Sequence, residues 1–333
     1  MEPFVTKIQE KIFSKDNFNF DEVALELFEF QYTHNLIYKQ FVDYLKVNVA
    51  TIQTVQQIPF LPIEFFKTHA IILNNAAPQK IFESSGTTGQ ITSKHFVADL
   101  KLYEESFEKG FQRFYGDIED WTILALLPSY LERDTSSLVF MVDDLIKRSK
   151  NKHSGFYLNN LDELAKALDS RLTTHSSKKT LLIGVTFALL DFAEQFPMDL
   201  SDIIIMETGG MKGRREELTR EEVHSILKTA FNVNTIHSEY GMTELLSQAY
   251  SKGNGVFKTP PWMKILKRDI YNPLQTSVNA GRGGLNVIDL ANIYSCAFIA
   301  TEDLVNIISA DEFEVLGRLD NSDIRGCNLM TTI

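Results

Sequence analysis

Residues 180–206 read TLLIGVTFALLDFAEQFPMDLSDIIIM, and their pattern decides the fold. Thr180–Gly184 is a short apolar run, Phe187–Gln195 carries apolar residues at helical spacing, and Ile203–Met206 is a second apolar run. Upstream the alternation continues, with a buried strand at Ile123–Leu127 and helices at Ser136–Ser149 and Leu161–Leu172. Strands alternating with helices predict an α/β fold, a mostly parallel sheet with helices on both faces.

Working outward, Met1 to about Val49 places Phe20, Val23, Leu27, Phe28 and Leu36 at helical spacing, which predicts two or more amphipathic helices. Pro59 and Pro62 then break the helix, and Ala70–Leu73 reads as strand-like. After Gly255 the runs shorten: Gly281–Gly284 reads as a turn, and Val287–Leu290, Tyr294–Ala300 and Phe313–Leu316 as strands. A small antiparallel or barrel-like β subdomain is expected there.

A chain of 333 residues, 44% hydrophobic, can bury a large core. Its net charge of -11 argues against nucleic-acid binding, which depends on Lys and Arg. Its two cysteines, Cys296 and Cys327, are too few for a disulfide framework. No run reaches the roughly 18 apolar residues of a transmembrane helix, and Met1–Lys15 lacks the apolar core of a secretory signal, so a cytoplasmic protein is expected.

Two segments carry chemistry. Ser84, Ser85, Gly86, Thr87, Thr88 and Gly89 follow Glu83, and glycines that admit backbone amides beside hydroxyl donors suit a polyphosphate cradle. The competing reading is a loop that caps a helix beginning near Val97. The second is His237-Ser-Glu-Tyr-Gly-Met-Thr-Glu244, after a strand-like Val233–Ile236. There Thr243 and Glu244 could hold a phosphate oxygen and Mg²⁺, or merely open a helix. Downstream, Ala300–Val305 and Gly317–Asp323 read singly as turns between strands.

Taken in order, the Ser/Thr/Gly loop, Tyr-Gly-Met-Thr-Glu, Thr301-Glu-Asp303 and Gly317-Arg-Leu-Asp320 resemble the motif series of the adenylate-forming superfamily of acyl-CoA synthetases, luciferases and nonribosomal-peptide adenylation domains. The resemblance implies a large domain over 1–320, with a helical part at 1–57 and a β-rich part at about 255–320. ATP and Mg²⁺ are its implied cofactors. It implies that Ser84, Ser85, Thr87 and Thr88 grip the β- and γ-phosphates, that Thr243 contacts the α-phosphate, and that Glu244 binds Mg²⁺. Gly209 and Gly210 would lie against adenine with Tyr240, followed by Gly241, as the stacking ring. Asp303 would hold the ribose, and Arg318 ribose or phosphate. Lys94 stands two positions beyond the family's loop lysine and is the candidate for its phosphate contact.

Leu61–Lys67, Leu127–Arg133 and Glu207–Gly213 add a narrower resemblance to LuxE-type acyl-protein synthetases, which activate fatty acids. This implies a fatty-acid substrate, an acyl-AMP intermediate and transfer to a thiol. The candidate thiol is Cys327, in a short tail at 321–333 that takes the place of the family's mobile C-terminal domain. An acyl reductase or acyl carrier protein would then receive the group, or coenzyme A directly. Read from the residues alone, Cys327 is either such an acceptor or an inert side chain, while Cys296 reads as core. Arg214 and Arg215 beside Lys212 read either as phosphate contacts or as a solvated helix start, and His95 and His237 as structural histidines.

Overall fold

The computed structural model describes residues 2–14, 17–85, 91–129, 131–174, 178–209 and 218–319. Among them, thirteen strands join one sheet. Its parallel half runs Gly155–Phe156, Trp121–Leu126, Lys179–Gly184, Ile204–Glu207 and His237–Tyr240. The α/β class and the parallel order read from residues 180–206 are observed here, but the sheet as a whole is mixed and not mostly parallel.

Side-chain parity explains why these strands are apolar throughout. Trp121, Ile123 and Ala125 enter one buried cluster, while Leu124 and Leu126 enter another on the opposite face. Leu181 and Ile183 divide from Leu182 in the same way. The helices Leu100–Tyr115 and Ser137–Arg148 contribute to the first cluster, and Leu161–Thr174, Thr186–Gln195 and Arg220–Phe231 to the second. Each fully buried Leu or Ile contributes about 1.5–3 kcal/mol.

Beyond His237–Tyr240 the same sheet continues antiparallel through Ala249–Ser251, Val256–Lys258, Glu312–Arg318, Phe298–Ile307, Gly281–Asp289, Met263–Arg268 and Thr276–Ser277. Leu61–Pro62 pairs in parallel with Phe298–Ile307.

The N-terminal helices are Glu2–Phe13, Phe20–His34 and Leu36–Tyr44. Buried Asn35 ends the second and caps the third, accepting from the Tyr38 amide while its Nδ2 donates to the Ser295 carbonyl.

Several local expectations change. Ala70–Leu73 is not a strand: Leu73 N donates to Tyr294 O and Ser295 Oγ to Ile71 O, side contacts without a ladder. The strand expected at Val233–Ile236 starts only at His237, because the left-handed Asn232 first turns the chain out of its helix. Gly281–Gly284 opens a long strand instead of forming a turn. Glu302 and Asp303 likewise lie within a strand. The hydroxyl-rich loop connects the paired strands Lys80–Glu83 and Lys94–Val97, so it does not cap the helix that starts at Leu100. Asp99 performs that capping.

Candidate functional site

The two strands around the loop fix its neck. Ser84 N donates to Ser93 O and Ser93 N to Ser84 Oγ, both at 3.0 Å. Cross-strand pairing places His95 inward, where Nδ1 lies 2.8 Å from the Thr243 carbonyl. Asn292 Nδ2 donates to the Glu244 carbonyl at 2.8 Å. The loop neck and the Thr243-Glu244 turn, distant in sequence, are thereby held together.

Between them opens a cavity of about 570 Å³. Of the sequence-predicted residues, Ser84, Ser85, Gly209, Gly241, Thr243, Glu244 and Arg318 line it. Gly86, Thr87, Thr88, Gly89, Gly210, Lys212, Arg214, Arg215, Asp320 and Cys327 lie outside the described residues.

Gly209 follows the strand Ile204–Glu207 with φ of +75°, a left-handed conformation that a side chain would strain. Its amide donates to Glu207 Oε2 at 2.9 Å, as does Thr186 Oγ1 at 3.1 Å, while Arg220 and His224 stand 3.7 Å from Oε1. Burial pushes the Glu207 carboxyl up, but His224, Arg220 and the Gly209 amide outweigh it and hold it at about 2.

Arg318 and Asp303 are cross-strand partners, and Tyr240 Oη donates to Asp303 Oδ2 at 2.7 Å. The structure thus unites three separate motifs. Tyr240 and Asp303 do not stand on the cavity wall, however. The Tyr240 ring packs edge-on against Phe257 and Phe313, and Glu302, one residue before Asp303, lines the cavity instead. Burial raises the Asp303 carboxyl, against the pull of Tyr240 and Arg318.

Lys94 also stands off the wall, 3.2 Å from its cross-strand partner Glu83. The cations on the wall among the described residues are Lys67, Arg133 and Arg318. Lys67 and Arg133 each close a segment of the narrower resemblance, which was the available signal for them. Glu239, Gln248 and Glu302 line the cavity without having been singled out.

Glu244 is 5% exposed, and burial raises its carboxyl while Ser93, Lys67 and Arg318 oppose the rise. No trio of His, Cys, Asp or Glu gathers among the described residues. A single buried carboxylate beside the neck of the hydroxyl-rich loop suits a Mg²⁺ that arrives on substrate phosphates, since Mg²⁺ keeps few protein ligands.

Both histidines are structural. His95 is buried and its pKa falls to about 4; His237 also falls to about 4 through burial and Lys252, and stands 3.2 Å from Tyr115 Oη. Cys296 is fully buried, with its thiol pushed up to about 12. Among the described residues no helix is long and apolar enough to cross a membrane.

No protein-family model matches the chain, and no curated protein sequence matches it significantly. Solved structures do. A 2-hydroxyisobutyryl-CoA ligase in complex with 2-HIB-AMP and CoA shares 11% identity at a TM-score of 0.66, covering 90% of this chain and 68% of that one. A long-chain-fatty-acid-CoA ligase from Archaeoglobus fulgidus shares 13% identity at a TM-score of 0.54, over 75% of this chain and 53% of that one. The luciferase-like enzyme of the mealworm Zophobas morio shares 14% identity at a TM-score of 0.50, over 72% of this chain and 57% of that one. At these identities the likeness establishes architecture alone: this chain shares the fold of these ligases.

Proposed function

We propose that this chain activates a carboxylic acid by ATP-dependent adenylation and passes the acyl group to a thiol. The observation that carries the reading is the convergence on one cavity of Ser84 and Ser85, Gly209, the Thr243-Glu244 turn and Arg318, drawn from motifs far apart in sequence.

In the adenylation step an oxygen of the carboxylate forms a bond to the α-phosphorus of ATP. The bond from that phosphorus to the β-phosphate bridging oxygen breaks, and pyrophosphate leaves with its electron pair. Charge builds on the departing group, and fixed cations and donors stabilise it there. Ser84 and Ser85, with Gly86, Thr87, Thr88 and Gly89, are assigned to the β- and γ-phosphates, joined by Lys67 and Arg133. Thr243 is assigned to the α-phosphate and Arg318 to ribose or phosphate. Gly209 and Gly210 are assigned to adenine, with the Tyr240–Asp303 pair supporting the nucleotide side. Glu244 would hold Mg²⁺, which when bound neutralises pyrophosphate charge.

The acyl acceptor is a thiol, either Cys327 or coenzyme A: its sulfur bonds to the acyl carbon, the bond from that carbon to the AMP oxygen breaks, and AMP leaves as the thiol gives up its proton. A tethered thiol makes the second step intramolecular. ATP–pyrophosphate exchange with a panel of acids tests the adenylation reading, and absence of exchange with all of them would remove it. Cys327→Ser separates the acceptors: it should keep exchange and lose hydroxylamine-labile acyl-protein, and unchanged labelling would exclude Cys327.

A further inference from the structure

The cavity runs from an open mouth to a closed end. Ile91 is 70% exposed and the Arg318 side chain 77%, and Lys67 is exposed beside them. Tyr103, Met141, Glu239 and Gln248, on the same wall, are all 8% exposed or less. Lys67 and Arg318 therefore stand toward solvent, while Glu239 and Gln248 stand at a buried end of the wall.

That end carries polar atoms. Ser137 and Tyr103 bring hydroxyls, and Tyr103 Oη already donates to the Ser137 carbonyl. Glu239 has no side-chain hydrogen bond to a described residue. Gln248 Oε1 is buried without a partner among the described residues, and so is the hydroxyl of Tyr250, the cross-strand neighbour of Glu239. A buried polar group left unpaired costs about 1–3 kcal/mol, and native interiors seldom collect several in one place.

Glu239 reaches this position because residue 241 is glycine: a Cβ there would overlap Glu239 Oε1 and crowd Gln248 Cγ at 3.4 Å. Although the chain contains 24 phenylalanines, none among the described residues lines the cavity. An alkyl terminus at this end would bury the Glu239 carboxyl and the Gln248 carbonyl without supplying a donor.

Resting on the adenylation reading, we propose that the acid taken here is polar, with an amino or hydroxyl donor remote from its carboxyl that binds Glu239 and Gln248. Such a group pairs with the Glu239 carboxyl and the Gln248 carbonyl, which the fold leaves unpaired. A site built to hydrogen-bond a substrate group rejects the analogue lacking it by as much as ~10⁴-fold.

The test uses matched sets of short acids differing only at the far end, as alkyl, hydroxyl or amino forms. ATP–pyrophosphate exchange and calorimetric binding are measured on the wild type, Glu239→Gln and Glu239→Leu. The wild type should favour a polar acid over its alkyl match by at least about 50-fold in kcat/KM. Glu239→Leu should bring that ratio near unity through KM, while Glu239→Gln, which keeps the shape, should retain the hydroxy acid better than the amino acid. Wild-type preference for the alkyl acid, or a ratio untouched by Glu239→Leu, overturns the proposal. If no acid supports exchange yet a polar acid binds and Glu239→Leu abolishes that binding, adenylation fails and the polar site stands. If neither polar acid binds more tightly than its alkyl match, the polar site fails whatever the exchange assay shows.

Discussion

His95 Nδ1 donates to the Thr243 carbonyl oxygen at 2.8 Å, so a side chain just beyond the hydroxyl-rich loop fastens the turn that carries Thr243 and Glu244. The ring is 1% exposed and meets Phe66 edge-on. Burial lowers its pKa to about 4, so it is neutral at physiological pH. Replacing it by alanine removes the donor and leaves a void beside Phe66. His95→Ala should cost about 2–4 kcal/mol in urea denaturation and lower pyrophosphate exchange at least tenfold. A loss below 1 kcal/mol with full exchange would show that the contact does not hold the turn.

The pH dependence of stability should have two opposed limbs. The His95 pKa falls from 6.5 unfolded to about 4 folded, so its contribution is complete above pH 6.5 and disappears as pH drops through 4. Burial first, and Glu207 second, raise Glu239 from 4.5 to about 8. Its contribution is therefore complete below pH 4.5 and is lost as pH climbs through 8. Glu239→Gln removes the second limb alone. The stability of this variant relative to wild type should rise by about 4 kcal/mol from pH 4.5 to pH 9 in denaturant titrations. A difference that stays flat with pH would refute the assignment.

How much of this could be read beforehand follows from where each signal lies. The strands at Ile123, Thr180 and Ile203 were legible because helices cover both faces, which makes every position apolar. Ser84, Ser85, Thr243 and Glu244 were legible because hydroxyls, glycines and a carboxylate cluster within a few positions. Motif spacing singled out Asp303, but the pleat of its strand puts Glu302 on the cavity wall. Lys67 closes the segment Leu61–Lys67 of the narrower resemblance, but its place on the wall depends on the pairing of Leu61–Pro62 with Phe298–Ile307, a contact across more than two hundred residues. Glu239 was masked by its neighbours in the motif; the glycine at 241 was the clue that space had been left for it.

The two lysines near the loop should separate cleanly. Lys67 lines the cavity, whereas Lys94 pairs with Glu83 at 3.2 Å outside its wall and is half-exposed. Lys67→Ala should lower kcat/KM for ATP by about 10- to 100-fold if it meets phosphate charge, in line with ~1.5–3 kcal/mol for a charged hydrogen bond. Lys94→Ala breaks an exposed pair of the kind that contributes up to about 1 kcal/mol, so exchange should change less than threefold. Steady-state exchange at varied ATP decides it, and the reverse ranking would return the phosphate contact to Lys94.

Gly241 and Glu239 should behave as one unit. Gly241→Ala introduces a Cβ into the space held by Glu239 Oε1, and the buried carboxyl must shift to make room. Crowding of a packed interior usually costs about 1–3 kcal/mol. In Glu239→Ala that oxygen is gone, so adding Gly241→Ala should then cost little. The two changes should therefore be non-additive by at least about 1 kcal/mol, since neighbours in contact couple on that scale. Four denaturation curves complete the cycle, and additivity within about 0.3 kcal/mol would mean that Gly241 is required by its backbone and not by the carboxyl beside it.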